Sequence, residues 1–476
     1  MRNLCHPLTI IATLLSLFSS LFVIVHVVNH GPVDYYLGGW SPPWGIAFRI
    51  DHLNALMAVL VSFICFLGAV FSKNTVREDF PQKEGAFFCL FLLLFTGLQG
   101  IVLTGDLFNL FVFLEVASLS GYALIAMGEK RAMYASFRYV LMGTIGASWY
   151  LLGVGYLYIV TGSLNMMDLS ELLPPLYQSK AVLVGFGFIL FGIGIKMALF
   201  PLHVWLPDAY TYAPSAVSAT VAPLMTKVMI YVILRVAFTV FEPEFPIHTL
   251  HATAVLAWIG VFAILFGGIM ALSQRDFKRM LCYIIVAEIG YIIGGIGVAN
   301  VTSMKGAVFH ILNDALMMMC LFFVAGMVMY RTSGHRISDL EGLFRKMPFV
   351  AAVFTVGALA VIGVPPTGGF FSKWYLLLGG IEAGHWGFVA ALLISTLINV
   401  ALFVRVFDRG IYLHALSHAS GHSQENEGVF QRQDDHRTPL SMVVPAFIVI
   451  LAIFLAGIFN QAILKNIIQF ALPSGL

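Results

Sequence analysis

Charge is scarce in this sequence: of 476 residues, 11% are charged and 59% hydrophobic, where soluble domains carry roughly a quarter charged residues. Mean hydropathy is +0.91. A water-soluble chain is excluded, and the near-balanced net charge of +2 gives no reason to expect a nucleic-acid partner. The five cysteines (Cys5, Cys65, Cys89, Cys282 and Cys320) show no C-x-x-C spacing and mostly lie inside apolar runs, which argues against iron–sulfur and structural zinc sites. Period-2 alternation is missing, so a β-barrel is excluded. Nucleophile elbow, phosphate loop and stand-alone catalytic triad are also missing. The "GFG" at 185–187 and "GIG" at 295–297 lie within apolar spans, so they read as close helix-packing positions rather than dinucleotide loops.

Apolar runs long enough to cross a bilayer as helices are abundant; we count about 13. They centre near residues 18, 62, 94, 117, 147, 192, 228, 261, 287, 317, 362, 398 and 450. The first is too long for a signal-peptide core and lacks a cleavage pattern, so it reads as a retained helix. The fold class is therefore an all-α polytopic membrane protein. Numbering the loops alternately, one side collects Lys73, Arg77, Lys83, Arg131, Arg275, Lys278, Arg279, Arg331, Arg336, Arg345 and others, the opposite side Arg49, Lys180, Lys305 and Lys465. The positive-inside rule makes the first side cytoplasmic. The expectation is a multi-pass protein of the cell inner membrane, N-terminus inside and C-terminus outside.

No linker divides the chain. We expect N-terminal helices over 1–105, a translocating core over 106–410, a polar cytoplasmic loop over 411–438 and a C-terminal helix and tail over 439–476. In that loop His414, His418 and His422 have helical spacing; a metal ligand set and a solvated histidine-rich loop both fit, the solvated loop being the commoner case.

A charge near the bilayer centre costs about 2.5–3.5 kcal/mol on insertion scales, so those within the runs demand a reason. They are Glu115, Lys196, Lys227, Glu288, His310, Asp314 and Lys373. Singly, each can be a structural ion pair or a snorkelling lysine. Together, basic groups interspersed with carboxylates read as a proton relay. Burial favours the neutral amine and a nearby carboxylate the ammonium, so re-pairing a carboxylate switches a lysine's proton affinity. Glu115 is expected to control Lys196 in this way.

Lys196 is followed by Pro201 and Pro207 in "GIGIKMALFPLHVWLPDAY", and Lys373 sits in "VPPTGGFFSKW". Both read as broken helices, whose irregular backbone is tolerated at membrane depth where it lines a polar cavity. The carboxylate-to-lysine spacing is 81 positions from Glu115 to Lys196 and 85 from Glu288 to Lys373, so two inverted five-helix repeats are expected. His203 either extends the relay toward Lys227 or hydrogen-bonds the broken helix. His203, Glu288 and Asp314 form a secondary set behind Glu115, Lys196, Lys227, His310 and Lys373.

"GDLFNLFVFLEVASLSGYALIA", "KMALFPLHVWLPDAYTYAPSAVSATVAPLMTKVMIYVILR", "QRDFKRMLCY" and "PPTGGFFSKW" resemble the antiporter-like subunits shared by respiratory complex I, membrane-bound hydrogenases and Mrp-type cation/proton antiporters, over roughly residues 35–410. "LGGWSPPWGI" and "DAYTYAPSAVSA" look closer to the D-type subunit of the Mrp antiporters, or its hydrogenase homologue, than to complex I. The resemblance implies two inverted repeats and a midplane line of charges matched by Glu115, Lys196, Lys227, His310 and Lys373. It further implies ion translocation within a multisubunit membrane complex, driven by redox chemistry in partners or by cation exchange. Protons, and in some relatives Na⁺, would be the cargo. No redox centre, cofactor or metal is expected in this chain.

Three departures stand out. The family usually has one more helix ahead of the first span here, and a cytoplasmic N-terminus fits its loss. Many relatives carry a second histidine and a lysine where this chain has Asp314 and Met318, and an uncharged polar residue where it has Glu288. The rival readings are a stand-alone secondary solute transporter and a quinone oxidoreductase subunit.

Overall fold

The computed structural model describes residues 2–128, 130–332, 334, 336–411 and 438–472. His414, His418, His422 and nearly all of the expected 411–438 loop lie outside the described residues.

Long helices follow one another through the chain. α1 spans Arg2–His30, and a hairpin of β1 (Val33–Tyr36) and antiparallel β2 (Ala47–Ile50) leads to α2, His52–Asp79. Then come α3 (Glu84–Leu103), α4 (Leu107–Ala126), α5 (Lys130–Thr161), the short α6 (Met166–Leu172), α7 (Lys180–Lys196) and α8 (Leu206–Tyr212). The second half holds α9 (Ser215–Arg235), α10 (Ala252–Ser273), α11 (Phe277–Val298), α12 (Val301–Thr332), the short α13 (Leu343–Lys346), α14 (Pro348–Ile362), α15 (Gly368–Glu382), α16 (Trp386–Ile411) and α17 (Leu440–Ile458). Among the described residues, 11 helices have the length and composition of a membrane span. The two remaining crossings are the expected broken ones, α7 with α8 and α14 with α15.

Burial is graded across the bundle. The span from Ser215 to Val240 and α11 are buried over 100% of their most apolar windows and α12 over 94%, against 17% for α1. A helix apolar all round is either sheathed by others or faces lipid; α9, α11 and α12 are sheathed, so the charges they carry sit at the centre. Glycine permits the tightest crossing. A Cβ on Gly290 would lie 2.8 Å from the Ile264 backbone nitrogen, and one on Gly260 would lie 2.5 Å from the Gly294 Cα, so α10 and α11 meet backbone to backbone. Gly185 and Gly297 are similarly packed, against α5 and α10, whereas Gly187 faces open space.

The two halves carry the same device at opposite ends. Asp106 caps α4 by accepting from the Asn109 N–H at 2.7 Å, and Asp276 caps α11 by accepting from the Arg279 N–H at 2.9 Å. Each also forms an isolated β-bridge to a downstream residue, Asn165 in the first case and Arg336 in the second. The crossings between Asp106 and Asp276 are α4, α5, the broken α7/α8, α9 and α10. Their number is odd, so the two bridges close opposite ends of the bundle, as inverted repeats require.

Candidate functional site

The breaks come first, because they place the lysines. α7 ends at Lys196, and Ala198 turns the chain in the left-handed region at φ 60°. Pro201 lies in the break as expected, but Pro207 does not: it occupies the first turn of α8, where its missing N–H costs nothing. The carbonyl of Ile195, which accepts from the Ala198 N–H at 3.1 Å, also accepts from Trp205 Nε1 at 2.9 Å. In the second break α14 ends at Ile362, Gly363 turns at φ 90°, and the carbonyl of Val361 accepts from Lys373 Nζ at 2.5 Å. Polar side chains thus reach the backbone carbonyls of both breaks at membrane depth.

Around Lys196 the expected pair forms. Its Nζ lies 3.3 Å from Glu115 Oε1 and donates to Ser118 Oγ at 2.8 Å and Tyr122 OH at 3.3 Å. Glu115, Ser118 and Tyr122 follow one face of α4, so one helix supplies both the counter-charge and the neutral acceptors. Lys196 is buried, its side chain 1% exposed, while Glu115 keeps 29%.

The centre holds a second pair. Lys227 of α9 and Asp314 of α12 face each other at 2.7 Å, both side chains 0% exposed. Their approach lacks hydrogen-bond direction, which leaves both carboxylate oxygens and the ammonium without a directed partner. One turn before Asp314, His310 Nε2 lies 2.7 Å from Glu288 Oε2 and its Nδ1 2.8 Å from Ser372 Oγ. Glu288 Oε1 stands 3.6 Å from Lys373 Nζ, and that ammonium also lies over the Tyr291 ring, 4.4 Å from its centroid. Three helices therefore converge on Glu288: its own α11, α12 through His310, and α15 through Lys373. The fourth, α9, joins the cluster through the pairing of its Lys227 with Asp314.

His203 stands apart. It is buried between Phe200 and Phe266, ring centroids 5.5 Å and 5.1 Å away, and its Nδ1 has no hydrogen-bond partner. Among the described residues no bond joins it to the broken helix or to Lys227. Sequence reasoning misses the neutral polar groups, Ser118, Tyr122, Tyr291 and Ser372; the pattern that exposes a lone charge says nothing about a serine. It also places Lys278 among the loop charges, whereas the chain buries it inside α11, Nζ donating to the Ala213 carbonyl at 2.6 Å.

At the hairpin end two clefts open. One of about 300 Å³ is lined by Asp34, Arg49, Asn54, Asp168 and Arg235; another of about 550 Å³ reaches from Arg235, Glu242 and Glu244 to Met304 and Val308 of α12. Between them Arg235 clasps Asp51 through both carboxylate oxygens, at 2.7 and 2.9 Å. Asp51, the N-cap of α2, lies outside the spans. Burial pushes its carboxyl up, but the Arg235 guanidinium and the cap N–H groups outweigh that and hold it below the ordinary value of 3.8.

This arrangement matches a known lineage. Residues 104–399 match the family described as NADH:quinone oxidoreductase/Mrp antiporter, transmembrane. The chain belongs to this family. It is 46% identical over 447 residues to NADH-quinone oxidoreductase subunit N of Desulforudis audaxviator, covering 94% of this chain and 89% of that protein. It is 33% identical to the D-type subunit of a Na(+)/H(+) antiporter from Alkalihalophilus pseudofirmus, with 82% and 78% covered. The relatives thus carry both the subunit N and the D-type names. Among solved structures, a chain of the archaeal membrane-bound sulfane sulfur reductase superposes with a TM-score of 0.87 at 30% identity, covering 98% of this chain and 91% of that one. A chain of the Mrp complex from Dietzia sp. gives 0.85 at 24%, covering 98% and 91%; at that identity the likeness speaks for fold. Family members occur in different multisubunit membrane complexes, and this chain is a multi-pass membrane protein of their kind.

Proposed function

We propose that this chain is a proton-translocating, antiporter-like subunit of a multisubunit membrane complex, passing protons along Glu115, Lys196, Lys227, His310 and Lys373. The observation that carries the reading is the continuity of the second half of this line. Lys227 pairs with Asp314, Asp314 lies one helical turn from His310, and His310 and Lys373 share Glu288. Ionisable groups in apolar surroundings persist when paired, and here each pair couples groups from different helices, so a proton arriving at one changes the next. Glu115 controls the first lysine, Asp314 pairs with Lys227, Glu288 bridges His310 and Lys373, and His203 stays outside the path.

The partner reading rests on α4. Phe108, Val112 and Leu119 are exposed and share a face with Glu115, whose carboxylate is partly exposed among them. A carboxylate turned to lipid is costly, so a neighbouring subunit is expected to cover this face. On this reading residues 106–410 are the translocating core. The uneven lysine and arginine content of the loops supports a cytoplasmic N-terminus and an external C-terminus in the cell inner membrane. The larger cleft, reaching Val308 near His310, then opens outward and serves as the external mouth. Replacing Lys196 or Glu115 with alanine in the assembled complex tests the reading: ion flux into proteoliposomes should vanish while subunit composition stays unchanged. Wild-type flux in either variant overturns it.

A further inference from the structure

At the lysine- and arginine-rich end of the bundle, two buried tyrosines have hydroxyls that nothing among the described residues satisfies. Tyr139 is 1% and Tyr210 0% exposed, and neither hydroxyl has a hydrogen-bond partner. An aromatic packed for its ring alone would be served by phenylalanine, because a buried hydroxyl without a partner is a net cost.

Their placement suggests why the oxygens are kept. Tyr139 stacks on Trp205 at 4.0 Å between centroids, and Tyr210 meets the same indole edge-on at 5.8 Å. Tyr122 meets Tyr139 edge-on at 4.5 Å, and its own hydroxyl accepts from Lys196 Nζ at 3.3 Å. Thr211, the neighbour of Tyr210 on α8, places its Oγ1 3.8 Å from Cys282 Sγ, which brings this end of α8 against α11. Cys282 lies one turn along α11 from Lys278, the buried lysine bound to the Ala213 carbonyl. Packed rings from α4, α5 and α8 therefore lie between Lys196, which Tyr122 meets, and the α11 turn that carries Cys282 and Lys278.

We propose that Tyr122, Tyr139 and Tyr210 form a hydroxyl-lined proton branch that links Lys278, at the lysine- and arginine-rich end, to Lys196. This rests on the relay reading above and adds its feed. Each hydroxyl, joined to the next by a water that needs two to four such partners, passes its proton forward and takes one from behind. The O–H bond broken toward Lys196 is replaced by one formed from the Lys278 side, so no tyrosinate accumulates and no co-reactant is needed.

The test is ion flux by the intact complex in proteoliposomes. The double variant Y139F/Y210F keeps both rings and removes both hydroxyls. Its flux should fall about tenfold, the rate factor for a barrier raised by about 1.4 kcal/mol, with assembly unchanged. Y210H separates conduction from packing, since imidazole exchanges protons but fits the site poorly; it should retain more flux than Y210F, the reverse of what a packing role gives. Wild-type flux in Y139F/Y210F, alongside a dead K196A control, overturns the branch and leaves the relay standing. Normal flux in K196A overturns both. Should the double variant not assemble, Y139F and Y210F decide singly: slowed flux in each supports the branch, and wild-type flux in both overturns it.

Discussion

Removing Asp314 should be costly in a way that removing Asp314 and Lys227 together is not. The two side chains are 2.7 Å apart and neither is exposed, so D314A leaves a buried lysine at the centre of the bundle without its paired carboxylate. Breaking a buried pair by deleting one partner typically costs about 3–5 kcal/mol, whereas replacing both by apolar groups of similar volume is often neutral or stabilising. The pair here lacks hydrogen-bond direction, and charge-assisted hydrogen bonds are roughly twice as strong as neutral ones, so we place D314A near the low end, about 3 kcal/mol. The double variant K227M/D314M should recover most of that. Thermal unfolding of the purified complex, followed by the loss of its intact elution peak, would give the order of stabilities: wild type close to K227M/D314M, both well above D314A. Flux separates the roles, because the recovered double variant should remain inactive. A D314A complex as stable as wild type would mean that the Lys227–Asp314 pair does not hold the centre together, and the account of the central pair would fail.

Other expectations follow from single contacts. H310F should stop flux more completely than H203F, since His310 joins Glu288 and Ser372 while His203 lies between two phenylalanines; equal losses in a flux assay would put His203 back in the path. G290L should prevent stable insertion of the α10–α11 pair, because the new side chain meets backbone that cannot yield and overpacking costs about 1–3 kcal/mol even where neighbours can shift; wild-type yield of assembled complex would refute the close crossing. The folded-state pKa of Asp51 lies below 3.8, so the Arg235 pair contributes fully above that value and is lost as pH falls through the lower one. R235M should therefore lower thermal stability at pH 7 but narrow its deficit in acid, and a deficit that grows on acidification would contradict the sign.

Much of this architecture is legible in the amino-acid sequence, for a physical reason. In a chain that spends most of its length in hydrocarbon, a charged residue is conspicuous, and Glu115, Lys196, Lys227, Glu288, His310, Asp314 and Lys373 stand out against their surroundings. The breaks at Pro201 and at Pro365–Pro366 are equally plain, since proline removes a donor the helix needs. Pairings are harder. The Glu115–Lys196 contact follows from the repeat spacing, but Lys227–Asp314 joins the two halves across the bundle, and nothing in the local pattern at either residue names its partner. Polar residues that cost little in a membrane helix leave no mark. Ser118 and Ser372 are ordinary in such helices, and tyrosines are usually assigned to the interfaces, which hides Tyr122, Tyr139 and Tyr210. Lys278 escapes notice for the opposite reason: beside Arg275 and Arg279 it looks like one more loop charge, and only the turn of α11 after its Asp276 cap points it inward.

The central claim is that buried charges conduct because water completes the path between them. A map of the intact complex in lipid nanodiscs, at a resolution that shows ordered water, tests this most directly. The account predicts water or hydroxyl oxygens bridging Lys196 to Lys227 and Asp314 to His310, with successive steps of about 2.8 Å. A dry, apolar gap between Lys196 and Lys227, wider than one water can span, would contradict it.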